Sequence, residues 1–186
     1  MKNATSTVAA IADGHAHETL DAIQQKVGFV PNLFATLAEQ PGVVEAFAAL
    51  DGAFSETSLS PVERQVILMT ASVENKGTYC VAGHTIFGRS IGMPEQAIDA
   101  IRSGGTIDDT RLEALHRFVE QLARHRGHVE PGEVTRLYDA GYSRGQALEI
   151  IMGVTVKTFT NYVDSALALT LDEHFKPAAW NADRND

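Results

Sequence analysis

Two helices and the turn between them are encoded by residues 60–84, SPVERQVILMTASVENKGTYCVAGH. The run opens with a capping box, because Ser60 can accept a hydrogen bond from the amide of Glu63 while the Glu63 carboxylate reaches back to the amide of Ser60. Apolar residues then recur at helical spacing until Gly77 breaks the helix, and Thr78 can cap the next one. The stretch therefore predicts a pair of packed helices, the second of which carries the chain's single cysteine.

Helical periodicity continues on both sides of this pair. A helix over residues 17–27 ends at Gly28, which suits a left-handed cap, and Asn32 can cap a short helix that follows. Later helices start at Asp108 or Asp109 and at Ser143. No useful length of chain alternates apolar and polar residues as an exposed strand does. We predict an all-α fold with eight or nine helices in a single domain over residues 1–186, with a core at about 17–175 and loose tails at 1–14 and 176–186.

Composition excludes several classes of function. The chain has 186 residues with 15 Lys and Arg against 24 Asp and Glu, a formal net charge of −9, and no dense basic cluster, so a nucleic-acid partner is not expected. No apolar run is long enough to cross a membrane, and the N-terminal stretch lacks a signal-peptide core. A single cysteine cannot form a disulfide within the chain. We expect a cytoplasmic protein.

The best clue to chemistry is the spacing of Cys80 and His84, which share one face of a helix. The thiol lies near the first turn of that helix, where the amide-rich end favours the thiolate form, and the imidazole one turn later is a possible proton acceptor. The alternative is a small buried residue that happens to precede a histidine, which is the commoner fate of a lone cysteine.

Other polar residues form no complete cofactor or metal site. His15 with His17 and His125 with His128 are pairs, and two ligands are too few for a metal. Cys80 and His84 would be only half of a zinc site. No phosphate-binding glycine pattern precedes a helix, so we expect neither a nucleotide cofactor nor a metal.

Six short motifs, taken in chain order, carry a resemblance to a known family. They are Gly28–Leu33 (GFVPNL), Glu39–Pro41 (EQP), Leu59–Arg64 (LSPVER), Tyr79–Thr85 (YCVAGHT), Thr160–Val163 (TNYV) and Asp172–Phe175 (DEHF). Together they resemble the carboxymuconolactone decarboxylase superfamily and, within it, the peroxidase-related branch similar to alkyl hydroperoxidase D. The resemblance runs from about residue 20 to residue 175 and implies an all-helical fold that assembles into dimers, trimers or hexamers.

The resemblance carries over only part of the family's site. Active peroxidases of the family use two cysteines with two residues between them, a histidine four residues beyond the second cysteine, and a glutamate on the preceding helix. Cys80 matches the second cysteine and His84 the histidine, whereas Gly77 stands at the first cysteine and Gln65 at the glutamate. A histidine that some members carry just before the second cysteine is Tyr79 here. The resemblance therefore implies a thiol site without its dithiol partner.

Three functions remain open at this point. In the first, the chain is a one-cysteine hydroperoxidase with Cys80 as nucleophile, His84 as its base, and Gln65 or Tyr79 donating to the departing oxygen. Its partners would be a hydroperoxide and an external thiol reductant, since no second thiol is available. In the second, the site performs acid–base chemistry on a small organic acid or lactone, and in the third the chain is an inactive helical scaffold.

Overall fold

The computed structural model describes residues 14–182, and the regular elements in this range are all helices, which confirms the predicted all-α class. Nine α-helices and one short 3-10 helix follow one another in the described part. They are α1 (Gly14–Val27), α2 (Asn32–Leu37), α3 (Pro41–Ser55), α4 (Pro61–Glu74), α5 (Thr78–Ser90), α6 (Glu95–Ser103), α7 (Thr110–Arg124), α8 (Pro131–Asp139), α9 (Arg144–Leu167) and the 3-10 helix Lys176–Ala178.

Helix α4 forms the centre of the fold and packs against α5, α7 and α9. It starts with the predicted capping box, in which the Ser60 side chain accepts from the Glu63 amide and Glu63 bonds back to the Ser60 amide. Its middle, residues 66–72, is buried on every side. A helix that is apolar around its whole circumference is typical of the core of an all-α protein.

Helix α9 lies unusually close to α3 and α4 at Gly153. A Cβ atom at this position would lie 2.6 Å from Phe54 and 2.8 Å from Ile67, so only glycine permits the contact. This approach brings the following two turns of α9 alongside α5, the helix that carries Cys80.

Two helix starts differ from the sequence prediction. Asn32 does not cap α2, because its side-chain amide instead donates to the carbonyl of Thr170, 2.9 Å away. Thr78 is the first residue of α5 rather than its cap, and the Asp164 carboxylate of α9 accepts from the Tyr79 amide at 3.0 Å. In both cases a partner from the far end of the chain replaces the local bond that the sequence suggested.

The C-terminal segment also differs from the predicted loose tail, which is wrong for residues 176–180. Ala178 is buried, and the Arg102 guanidinium donates to the carbonyls of Ala178 and Ala179 at 3.1 and 3.2 Å. The Trp180 indole donates to the carbonyl of Arg102 at 2.9 Å. These bonds hold the segment against α6, while residues 1–13 and 183–186 of the predicted tails lie outside the described residues.

None of the helices in the described range is both long and apolar enough to cross a bilayer.

Candidate active site

The Cys80 thiol lies in the first turn of α5 beside a cavity of about 490 Å³. Cys80 is 3 % exposed, and its thiol donates to the hydroxyl of Thr160 on α9 at 3.7 Å. The cavity reaches from α1 and α3 across to α5 and α9. Its size is within the usual range for a site that takes a small organic molecule.

Most of the cavity wall is apolar. Aromatic and aliphatic side chains of α2, α3, α4 and α5 form it, among them Phe34, Phe47, Phe54, Leu68 and Phe87. The polar groups at its inner end are the side chains of Gln65, Cys80, His84 and Lys157. We call these four residues the cavity cluster.

His84 is held between two polar side chains of the cavity cluster. Its Nδ1 lies 3.0 Å from Oε1 of Gln65, and its Nε2 lies 2.8 Å from Nζ of Lys157. A carbonyl oxygen only accepts and an ammonium only donates, so Nδ1 carries the proton and Nε2 is the acceptor. This is the neutral imidazole in a single tautomer.

The electrostatics of the site favour the same neutral form. Burial, and then the positive charge of Lys157, hold the pKa of His84 well below its ordinary value. Gln65 supplies no negative charge to oppose this effect, whereas a carboxylate at that position would stabilise the imidazolium. The replacement of the family's glutamate by Gln65 therefore keeps His84 available to accept a proton.

Lys157 is the site residue that the sequence analysis missed. It is 4 % exposed, and no carboxylate of the described chain forms an ion pair with its ammonium. A buried cation without a carboxylate partner is costly and seldom occurs without a function. The signal in the sequence was a set of polar residues on α9, Lys157, Asn161 and Asp164, whose spacings of four and three residues place them on one face of the helix.

Cys80 and His84 both face the cavity, as their spacing predicts, yet within the described chain no hydrogen bond joins them. The thiol bonds to Thr160, and both ring nitrogens bond to other side chains. Direct proton transfer from Cys80 to His84 therefore requires Lys157 to release Nε2 first.

Tyr79 also borders the cavity, but its hydroxyl has structural partners. It donates to the Asp172 carboxylate and accepts from the Leu33 amide at 3.3 Å. Burial, and then the bond to Asp172, raise the pKa of Tyr79. With these bonds in place, the hydroxyl joins α5 to the segment after α9 and is not free to donate to a departing oxygen.

The position of the family's first cysteine is filled by another side chain. A Cβ atom on Gly77 would lie 2.3 Å from Nδ2 of Asn161, closer than any real contact. Asn161 is fully buried, accepts from the side chain of Asn75 at 3.0 Å and donates to the hydroxyl of Ser72 at 3.3 Å. The space that a side chain at position 77 would take is therefore filled by a hydrogen-bonded asparagine.

The start of α5 carries a carboxylate that counters the positive helix end. Asp164 accepts from the Tyr79 amide one residue before Cys80. Burial raises the pKa of Asp164, although the bond from Tyr79 and the charge of Lys157 act in the opposite direction. The helix terminus is thus already occupied by an acceptor, which reduces the effect on the thiol that the sequence analysis assigned to it.

No group of three or more potential metal ligands occurs within residues 14–182. His125 and His128 are exposed near the end of α7, and the side chain of His15 lies outside the described residues.

Comparisons with known proteins agree with this architecture. The model of the carboxymuconolactone decarboxylase family matches residues 41–119, which include α4, α5 and the whole of the quoted stretch. No curated protein matches the chain in sequence.

Solved structures extend the likeness to most of the chain. A peroxidase-related protein from Ralstonia eutropha JMP134 with an alkylhydroperoxidase AhpD core has a TM-score of 0.80, 24 % identity and 90 % coverage of both chains. A peroxidase-related protein from Silicibacter sp. TM1040 has a TM-score of 0.78 and 23 % identity, covering 89 % of this chain and 90 % of its own.

A third likeness is to a protein with a different activity. The debrominase Bmp8 has a TM-score of 0.77 and 18 % identity, and the two chains are covered to 93 and 92 %. A cysteine-to-alanine variant of Bmp8 has been solved in complex with 2,3,4-tribromopyrrole. At these identities the structural likenesses show a shared fold, whereas the family match concerns the sequence itself. The family model matches residues 41–119, less than half of the chain, and the structural likenesses show that the chain has the alkyl hydroperoxidase D-like fold.

Proposed function

We propose that this chain is a one-cysteine hydroperoxidase that reduces an organic hydroperoxide at Cys80 and is recycled by an external thiol. The observation that carries the proposal is the placement of a thiol, a neutral imidazole and an ammonium without a carboxylate partner in residues 14–182 at the inner end of one apolar cavity. An apolar wall suits the organic part of such a substrate, and the ammonium suits the oxygen on which charge develops.

The first half-reaction oxidises sulfur by two electrons. Lys157 leaves Nε2 of His84, which accepts the Cys80 proton, and the thiolate attacks the terminal oxygen of the hydroperoxide. The O–O bond breaks with its electron pair on the alkoxide, which takes a proton from the Lys157 ammonium and leaves as an alcohol. The sulfur becomes a sulfenic acid, and His84 returns its proton to Lys157.

The second half-reaction needs a partner because the chain has one cysteine. An external thiol attacks the sulfenic acid, forms a mixed disulfide and releases water. A second external thiol then attacks the external sulfur of the mixed disulfide, which forms a small disulfide, breaks the bond to Cys80 and releases Cys80, with its proton restored, as the thiol. Peroxide consumption is therefore expected to depend on the concentration of added thiol.

Trapping the sulfenic acid tests the first half-reaction. The full chain is treated with one equivalent of cumene hydroperoxide in the presence of dimedone and measured by intact mass. We expect one dimedone adduct in the wild type and none in Cys80→Ser. Methionine oxidation adds oxygen without dimedone and is distinguished by mass. A folded wild type that forms no adduct would contradict the proposal.

Turnover tests the second half-reaction. With dithiothreitol as reductant, wild type is expected to consume cumene hydroperoxide catalytically, Cys80→Ser to be inactive, and Lys157→Met to be slowed by about tenfold to a hundredfold because the leaving oxygen loses its proton donor. Consumption by Cys80→Ser at the wild-type rate would exclude Cys80 as the nucleophile.

Acid–base chemistry on a small organic acid or lactone is the second candidate. It is favoured by the pairing of neutral His84 with the Lys157 ammonium, which could accept and donate a proton without sulfur. The two candidates are separated by the same Cys80→Ser variant. Carbon dioxide release from carboxymuconolactone that survives in Cys80→Ser but is lost in His84→Gln would support the second candidate.

The homo-oligomer implied by the family resemblance stays a prediction. Large apolar side chains along α9 are exposed, with Leu148 at 65 % and Tyr162 at 64 %. Static light scattering of the full chain measures the assembly directly.

A further inference from the structure

The charges around the cavity differ in sign from the rest of the protein. Three cationic side chains line it, Lys26, Arg64 and Lys157, against one carboxylate, Asp51. The chain as a whole has a formal net charge of −9. A cavity with a local excess of positive charge inside an acidic protein attracts anions and is a poor site for cations.

The three cations lie at different depths. Lys26, in the last turn of α1, is exposed, Arg64 of α4 is half-buried, and Lys157 of α9 is buried. Lys26 and Arg64 therefore stand at the rim, and Lys157 at the inner end beside His84. The apolar wall of Phe34, Phe47 and Leu68 lies in the same cavity.

The rim cations have charge left for a ligand. Arg64 donates through one guanidinium nitrogen to the carbonyls of Leu59 and Thr57, which are neutral acceptors. Neither Arg64 nor Lys26 forms an ion pair with a carboxylate in residues 14–182. A planar carboxylate fits the remaining donors of an arginine, and a lysine that lines the same cavity adds a second charge.

We propose that the cavity binds an amphipathic monocarboxylate, with the carboxylate held at the rim by Lys26 and Arg64 and the apolar body on the aromatic wall. The far end of the ligand then reaches Cys80, His84 and Lys157. This inference rests on the proposed function only in naming its substrate as a hydroperoxide of an apolar acid. The binding claim itself is independent of any reaction at sulfur.

Binding to the Cys80→Ser full chain tests the claim without redox chemistry. The probes are octanoate, 1-octanol and octylamine, which share one apolar body and differ in charge, measured by isothermal titration calorimetry at low ionic strength. We expect octanoate to bind at least about tenfold more tightly than 1-octanol, and octylamine to bind most weakly. Added salt is expected to weaken the binding of octanoate and to leave the binding of 1-octanol unchanged.

Variants of the cationic side chains locate the carboxylate. In the Cys80→Ser background, each of the substitutions Lys26→Met and Arg64→Gln is expected to weaken the binding of octanoate by about tenfold. The affinity for 1-octanol is expected to stay unchanged. Arg136→Gln, on α8 away from the cavity, removes the same charge from the protein and serves as the matched control, with no change expected. Circular dichroism confirms that each variant is folded.

Several results would overturn the proposal. Equal affinity for octanoate and 1-octanol would remove the role of charge. Octanoate affinity that falls in Lys157→Met but not in the rim variants would place the acid at the inner end, against the proposed orientation. Absence of binding by any probe would reject the ligand class. Each of these outcomes leaves the dimedone test of Cys80 unaffected, so the two proposals fail separately.

Discussion

Two polar clusters meet at α5 and differ in how their groups are paired. The cavity cluster, Gln65, Cys80, His84 and Lys157, faces the apolar cavity. The second group, which we call the terminus cluster, surrounds the start of α5 and comprises Gly77, Tyr79, Asn161, Asp164 and Asp172.

The polar side chains of the terminus cluster have their hydrogen-bond partners within the protein. The side chain of Asn161 both accepts and donates, Asp164 caps α5, and Asp172 accepts from Tyr79 and from the Asn32 amide. Fully paired buried networks fix the relative position of the elements that they join. This cluster therefore orients α5 against α9 and contributes no group to a ligand.

The cavity cluster is incompletely paired. Lys157 bonds to a neutral imidazole but to no carboxylate of the described residues, and the thiol of Cys80 has only a long bond to a hydroxyl. Buried polar groups without full partners carry a free-energy cost that folding alone does not explain. Gly77 and Tyr79, which the resemblance places at a cysteine and a histidine position of the family's peroxidases, both belong to the terminus cluster rather than to the cavity cluster.

The largest expected effect is on the terminus cluster. Tyr79→Phe removes the hydroxyl that donates to Asp172 and accepts from Leu33, so the free energy of unfolding is expected to fall by about 1.5–3 kcal/mol. Urea unfolding measures the loss. The rate of dimedone-trapped oxidation at Cys80 is expected to stay at the wild-type value.

Tyr162→Phe is the matched control, because this tyrosine of α9 is 64 % exposed. Removal of its hydroxyl is expected to change the free energy of unfolding by less than about 0.5 kcal/mol. If Tyr79→Phe left stability unchanged but slowed oxidation of Cys80, Tyr79 would act with the cavity cluster. That result would contradict its assignment to the terminus cluster.

A slightly smaller effect is expected at Gly77. Gly77→Ala places a Cβ against the buried Asn161 side chain and is expected to lower the free energy of unfolding by about 1–3 kcal/mol. In an Asn161→Ala background the added cost should shrink, since the clashing amide is absent.

Gly52→Ala in α3 is the control for Gly77→Ala, because a Cβ at Gly52 meets no atom within 4 Å. There the substitution is expected to stabilise the helix by about 0.5–1 kcal/mol. Equal effects at the two glycines would mean that Asn161 does not occupy the place of the missing cysteine side chain.

Much of the fold could be predicted from local signals in the sequence. The capping boxes at Ser60 and Ser143 and the cap at Asp109 lie where short-range hydrogen bonds decide the helix start. The starts of α2 and α5 could not be predicted in this way. Their partners, Thr170 and Asp164, come from more than eighty residues away, and no local pattern announces them.

The site could be predicted only in part, because one of its residues comes from a distant part of the sequence. The register of Cys80 and His84 on one helix places both at the cavity, as expected. Lys157 donates to His84 across 73 residues of sequence, and no local pattern in the sequence assigned it a role in the site. The spacing of the polar residues on α9 is visible in the sequence. The close packing at Gly153 decides which neighbouring helix they face.

The smallest expected effect is a pH dependence that originates in the cavity cluster. The pKa of His84 is lowered in the folded protein, so between that value and the ordinary histidine value the unfolded chain binds more protons than the folded one. Stability from this source is therefore present above the ordinary value and is lost as the pH falls, by at most about 1.4 kcal/mol per pH unit. His116, whose pKa is also lowered by burial, acts in the same direction in every variant.

The contribution of His84 is isolated by comparing urea unfolding of wild type and His84→Asn between about pH 5 and pH 7, where an unfolded histidine titrates. Wild type is expected to lose more stability on acidification, because the asparagine has no proton to gain. In Lys157→Met one of the two causes of the lowered pKa is removed, so the His84 ring signal in NMR should titrate closer to the ordinary value than in wild type. Identical pH slopes for wild type and His84→Asn would mean that His84 is not kept neutral by its surroundings, and the proton-acceptor role assigned to it would lose its basis.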